Sequence, residues 1–388
     1  MDESAASDEQ QPDLGDLRSR FPGFFPPDDS QLREFMIDGM VAFDANALLD
    51  VYRFNDRARR EYLAALRKLA ERLWIPYRVG QELLENRLRV IEECSTATNK
   101  LAEELDSAFG GVTQVIRRFG DRRGLSTQQI ARLEMLVKET QDQVIEQANS
   151  SYTFDLRLET SIKGDPILSD LETVLAGKVG PPLDEPQKAK AEALRRLDAG
   201  IPPGYKDWKK DRERAIGDCI IWFQLIREAA LRRRPVVLVC NERKPDWVRE
   251  DLGRKVGAQP ELVAEMMDKS AMPFHLMSVQ SFLVHARKYL GVTVSESTVQ
   301  QAKYASENPI QKEVDELVRV HGQVQHIERE TPYRIWLIFA DGHRMGVEGK
   351  PPVNATLEAV SSEYEGTLRD NSSRDPWSTL PGYRRDRD

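Results

Sequence analysis

Cysteine is scarce in this sequence: Cys94, Cys219 and Cys240 are spread through 388 residues and form no Cys-x-x-Cys pair. That excludes a disulfide framework and reads the three as buried small apolar side chains. Histidine is equally sparse. His275, His285, His321, His326 and His343 show no zinc-ligand spacing, so no structural zinc site is expected. No apolar run approaches the ~20 residues that span a bilayer. The opening MDESAASDEQQPDLGD is acidic where a signal peptide would be basic and then apolar. No membrane role is expected, and the cytoplasm is the expected compartment. Excess positive charge is missing as well: 56 Lys and Arg face 64 Asp and Glu, a net charge of −8. Such a chain does not coat nucleic acid through a broad basic face. A catalytic cleft stays open to it, because carboxylates that bind divalent cations add negative formal charge while the loaded site presents a positive one. Nothing in the chain repeats.

What is present suffices for a packed core, with 40% of residues hydrophobic. Residues 41–54, VAFDANALLDVYRF, organise the rest. Val41, Ala42 and Phe43 run without polar interruption into Asp44, after which Leu48, Leu49 and Tyr52 fall at helical spacing. This is the pattern of a buried strand ending in a carboxylate. In open α/β sheets ligands bind beyond the carboxyl ends of the strands; a helix-capping Asp is the competing reading of the same residue. LWIP at 73–76 is a second short strand, followed by a helix with Val79, Leu83, Leu84, Leu88 and Ile91 as its apolar stripe. VVLVC at 236–240 is the β-branched run of a central parallel strand, and PFHLM at 273–277 a further short one. Helices are expected at 31–36, after a capping Asn55, at 216–230, near Trp247, at 261–268 and at 278–290. The alternation predicts a doubly wound parallel α/β domain.

The domain is expected over 19–292, with a helical insertion at about 99–211. Of that insertion, 99–150 reads as an all-helical excursion from the sheet and 162–211 as a long connection dense in glycine and proline. A small β-rich unit is expected at 312–362, where two alternating segments are broken by Ala340, Asp341 and Gly342. Disordered tails are expected at 1–18 and 363–388.

Acids fall at comparable points along this plan. Asp44 ends the first strand, Glu82 lies on the helix after the second, Asp218 opens the buried helix in AIGDCIIW, and Glu242 and Asp246 follow VVLVC. Singly, each also reads as a first-turn acid favoured by the helix dipole; Glu85 reads as a solvated helix residue. Jointly, carboxylates brought together repel unless they share protons or bind cations. Oxygen-only ligation suits Mg²⁺ or Mn²⁺, and such ions support phosphodiester hydrolysis. Two other classes with an Asp after a first strand fit poorly. Haloacid-dehalogenase-like phosphatases need a second Asp where Asn46 stands, and receiver domains need paired acids before the strand, where Gly39 and Met40 stand.

In order, DANALLDVYRF, LWIPYRVGQELLENR, GDPILSDL, GKVG, PPGYKDWKK, GDCIIWFQLI and VVLVCNERKPDW resemble the PIN-like domain family of large bacterial proteins, relatives of the PIN-domain ribonucleases. The resemblance runs from about residue 21 to about residue 290. It implies a PIN-like doubly wound sheet and a metal-dependent nuclease centre in which Asp44, Glu82 and Asp218 are catalytic metal ligands, with Asn46 the nearby small polar residue. The family's Thr-Asp-Asp after the fourth strand is here Cys240, Asn241 and Glu242, a departure that leaves weakened metal binding open. Glu242 keeps a carboxylate, and Asp246 matches the family pattern unchanged as a further metal candidate.

Lys206, Lys209, Lys210, Arg212 and Arg214 are interleaved with Tyr205 and Trp208 just before Asp218. Cation plus aromatic is what a single nucleic-acid strand needs; a solvated helix start is the equal alternative, since Asp207, Asp211 and Glu213 offset much of the charge. Arg232, Arg233 and Arg234 read as surface. The expected function is a Mg²⁺- or Mn²⁺-dependent endoribonuclease acting on single-stranded RNA. Two alternatives stand beside it: a catalytically weakened scaffold whose carboxyl-terminal β unit recruits a protein partner, and a DNA-directed nuclease.

Overall fold

Two short apolar runs far apart in sequence meet at the centre of the protein. In the computed structural model, which describes residues 16–209, 211–241, 246–251, 254–306, 324–331, 334–339 and 344–348, β1 (Met40–Phe43) pairs in parallel with β3 (Val236–Val239). β2 (Leu73–Trp74) flanks β1 on one side. β6 (Phe274–Met277) flanks β3 on the other, giving the all-parallel order β2-β1-β3-β6. Every residue of β1 and β3 is buried, as expected of strands covered on both faces.

Helices supply those covers. Asp44 caps the Ala45–Arg53 helix, and Asn55 caps Asp56–Leu69 by accepting from the Ala58 amide at 2.9 Å. Tyr62 and Phe282, from the Asp56–Leu69 and Val279–Leu290 helices, close edge-on around Phe43, the Phe43–Phe282 ring centroids 5.0 Å apart. On the other side, the Arg212–Arg232 helix buries Trp222 against Phe274 and Trp247.

The insertion is more ordered than a connection. Helices Pro166–Leu175 and Pro186–Asp198 occupy much of 162–211, each with proline at its first position, where a missing amide hydrogen costs nothing. The prolines therefore start helices there. Before them, Ala97–Arg123 and Thr127–Ser151 form a hairpin turned by left-handed Gly124 and capped by Ser126. Glu296–Ser306 is a further helix, beyond those expected.

The helix expected near Trp247 is replaced by an antiparallel pair, β4 (Val248–Asp251) and β5 (Arg254–Ala258), with a bulge at Arg249 and Glu250. Arg249 donates to Asp251 at 2.8 Å, a two-residue contact that only a strand places on one face.

Residues 1–307 form one compact unit and 308–388 another. The described part of the second is an antiparallel sheet of β7 (Val324–Thr331), β8 (Arg334–Phe339) and β9 (Arg344–Glu348). Apart from residues 16–18, which enter the short Leu17–Arg20 helix, the expected tails lie outside the described residues. No described helix is long and apolar enough to cross a membrane.

Asp165 explains the GDPILSDL segment. Its carboxylate caps Pro166–Leu175 through the Leu168 amide (2.9 Å), accepts the Tyr52 hydroxyl (2.7 Å) and pairs with Arg87 (2.7 Å). Three helices thus share one acid whose side chain is 2% exposed. Removing one partner of such a pair strands the other's charge. Asp165→Ala is expected to lower stability by about 3–5 kcal/mol, read as a fall in the urea unfolding midpoint.

Candidate functional site

The carboxyl edge of β1 is fixed by the sheet itself. The Asp44 amide donates to Val239 O at 2.9 Å, so the ladder reaches one residue beyond the strand. Its side chain, half-buried, accepts from the Asn46 amide at 3.3 Å. Asp44 is therefore a cap, as one reading held. It is also a charge felt by its neighbours.

Glu82 is one of them. It sits in the second turn of the Tyr77–Ser95 helix, where Oε1 accepts from Arg78 Nε at 2.9 Å. Burial, and then the negative charge of Asp44, push its pKa up to about 7, while Arg78 and Arg214 pull the other way. The helix carrying Asp218 meets this pair at Gly217. A Cβ on Gly217 would stand 2.8 Å from Glu82 Oε1 and 3.3 Å from Arg78 Nε. The glycine of the Gly-Asp pair is thus the space into which the Glu82 carboxylate fits, and half-buried Asp218 is the next residue along. Its charge reaches Cys219, whose thiol is pushed up to about 12, chiefly by burial.

A carboxylate that sequence reasoning passed over lies behind these. Asp50 is fully buried, and burial foremost, with Asp44 adding to it, raises its pKa to about 6. It is held by Arg53 at 3.1 Å and by the Asn241 amide at 2.6 Å. Asn241 in turn accepts from the Val279 amide at 3.4 Å, so its side chain clamps the end of β3 to two helices. The signal was an acid set among apolar neighbours in ALLDVY. Arg78 was also missed, although Arg78 and Glu82 stand one helical turn apart.

Asp246 has a different place. Fully buried, it accepts the backbone amides of Gly204 (2.9 Å) and Lys206 (3.2 Å), shaping the PPGYK turn. That turn is pressed onto the Asp218 helix: a Cβ on Gly204 would meet Ala215 O at 2.5 Å, and Cys219 Sγ donates to Pro203 O at 3.2 Å. Lys206 lies over the Tyr205 ring at 5.2 Å and Arg212 over Trp208 at 4.9 Å, while the Trp208 indole donates to Asp198. Lys209 is exposed. Arg214 stands 3.7 Å from Asp207 and acts electrostatically on Glu82, which brings this basic segment to the acidic edge. Glu242 and Lys210 lie outside the described residues.

Asp44 and Glu82 offer oxygen donors of the kind hard divalent cations take. The raised pKa of Glu82 comes first from burial and then from the like charge of Asp44. Among the described residues, no three His, Cys, Asp or Glu side chains are gathered as a metal-holding group.

A family model described as a PIN like domain matches residues 40–262, more than half of the chain. No curated protein and no solved structure matches it.

The Glu82 shift has a measurable sign. In the fold this carboxyl keeps its proton to about pH 7, against 4.5 ordinarily. Its protonated form therefore contributes stability that is fully present below the lower value and lost as pH rises through the higher. In metal-free buffer, Glu82→Gln is expected to be more stable than the unmodified protein at pH 8, by about 1–3 kcal/mol, with the difference vanishing near pH 4. Denaturant titrations across that range read it directly.

Proposed function

Because this chain belongs to the PIN-like domain family, a nuclease-type superfamily, we propose that it is a metal-dependent endoribonuclease that hydrolyses phosphodiester bonds in single-stranded RNA. The observation that carries the reading is the coupling of two half-buried carboxylates, Asp44 and Glu82, beside the Gly217–Asp218 step. Asp44, Glu82 and Asp218 would hold Mg²⁺ or Mn²⁺, with Glu242 completing the acidic edge. A bound ion supplies an activated water and charge stabilisation at the leaving oxygen. Asp246 shapes the turn that carries Lys206.

The chain's own residues do the rest. Arg78 and Arg214 set the charge balance at Glu82, a carboxyl that exchanges its proton near neutral pH and competes for cations accordingly. Arg214, Lys206, Lys209 and Lys210 contact backbone phosphates, and the half-buried Tyr205 offers a ring beside them. Asn46 orients the Asp44 carboxylate through its amide.

One observation favours a second reading, a catalytically weakened scaffold that binds a protein partner through the β unit: Glu82 is already paired with Arg78. The test is cleavage of a mixed pool of single-stranded RNA and DNA with Mg²⁺ or Mn²⁺. The nuclease reading expects RNA products from the unmodified protein, a loss of about 10²-fold or more in Asp44→Asn, and activity declining at acid pH as protons compete with the cation for Glu82. Equal cleavage by both proteins would overturn it. Metal-independent inactivity of both would favour the scaffold, and DNA products alone would make the substrate deoxyribose.

A further inference from the structure

The Ala97–Arg123 and Thr127–Ser151 helices carry two apolar stripes where a hairpin needs one. The inner stripe closes the pair. Leu105, Phe109 and Ile116 on the first helix and Ile130, Val137 and Ile145 on the second are half-buried, Gln141 donates to Asp106, and Ile130 lies over Gly120. The outer stripe faces solvent: Leu101, Val112, Val115 and Phe119 on the first helix, Leu133, Leu136 and Val144 on the second, each between 37% and 56% exposed.

At 3.6 residues per turn, each outer stripe trails its inner one by about 80° when the helix is followed from its amino end. The helices run antiparallel, so the two offsets bring both outer stripes to the same side of the hairpin. Together they make one continuous apolar face, larger in kind than the scattered exposed residues of an ordinary surface. At its middle lie Ala108 and Gly111. A Cβ on Gly111 would meet nothing within 4 Å, so nothing described in the chain itself explains a glycine inside this helix. Such a glycine costs about 1 kcal/mol relative to alanine.

The charges of the hairpin are divided by end, with Glu104, Arg118, Arg122 and Arg132 flanking the outer face. Arg117, Arg118, Arg122, Arg123 and Arg132 crowd the tip, accompanied by Asp121 and Glu134. Glu103, Glu104, Asp106 and Glu146 crowd the base, accompanied by Lys100, while Lys138, Glu139 and Asp142 lie near the middle, Lys138 3.1 Å from Asp142. The surface is therefore complementary to itself when reversed end for end. A two-fold axis through its middle would lay each basic tip on the other copy's acidic base, seat the apolar faces together and let the backbones approach at Ala108 and Gly111.

We propose that this hairpin is a homodimerisation element: two copies of the chain join their outer faces, antiparallel, as a four-helix bundle. The partner is a second copy because the charge division is matched by the same surface inverted, and a parallel pairing would set like charges against each other.

Light scattering and sedimentation equilibrium of the full chain test it. The expected particle has twice the 44.3 kDa mass of one chain. Val115→Asp and Phe119→Asp, at exposed positions, should leave helicity unchanged by circular dichroism. Each should weaken dimerisation by at least about thirtyfold, about 2 kcal/mol. Two charge variants fix the orientation. Arg118→Glu with Arg122→Glu, and Glu104→Lys with Glu146→Lys, should each be monomeric alone and should form a dimer when mixed, since each then offers what the other's end requires. A monomeric unmodified protein, which would assign this face to a different partner, overturns the proposal. So does a dimer indifferent to Val115→Asp, or a mixture that stays monomeric.

Discussion

A backbone hydrogen bond between the Asp44 amide and the Val239 carbonyl decides where the chemistry-bearing part of the molecule stands. A strand that simply ended at Phe43 would leave the following carboxylate on a swinging loop. Here the ladder runs one residue further, and the next peptide enters a helix whose first turn is satisfied by that same carboxylate. Both neighbours of Asp44 are thereby committed. The acid stands at a fixed point on the sheet edge, and other elements are built to meet it.

How they meet it separates two uses of buried acid. Asp165, Asp246 and Glu265 are consumed by structure. Glu265, for example, accepts both Arg196 guanidinium nitrogens and the Trp222 indole, binding the Pro186–Asp198, Arg212–Arg232 and Pro260–Ser270 helices together. Asp165 and Glu265 have both oxygens occupied by donors, and Asp246 holds two turn amides with one of its own. Glu82 differs in kind. Its carboxylate is crowded by another of the same sign and is accommodated only because Gly217 has no side chain. An arrangement that spends stability without tying elements together is where function is to be sought.

Much of this was legible in the sequence for a simple reason: the central strands are continuous apolar runs and the first carboxylate directly follows one. The central parallel sheet, Asn55 as a cap and the helical excursion all follow from periodicity. The β4 and β5 pair did not, because Trp247 and Val248 suit a helix stripe as well as a strand, and only the Arg249–Asp251 contact reveals the two-residue period. The helices at 166–175 and 186–198 were hidden by prolines whose position in the helix, not their number, carries the meaning. Asp50 went unseen because its partner Asn241 is 191 residues away, a separation no local pattern encodes. Asp246 was noticed, but nothing in its neighbours announces that it grips amides at 204 and 206.

The pairing of Glu82 with Arg78 bears on when such an acidic edge can assemble. Carboxylates that wait for a dissolved ion to neutralise them hold the chain apart until that ion arrives. This chain brings its own counter-charge, four residues upstream on the same helix, so the acids can be gathered during folding in a compartment poor in free cations. Under the proposed metal-dependent reading, maturation and loading would be uncoupled: the scaffold would be finished first, and an incoming ion would have to displace a tethered guanidinium from its seat.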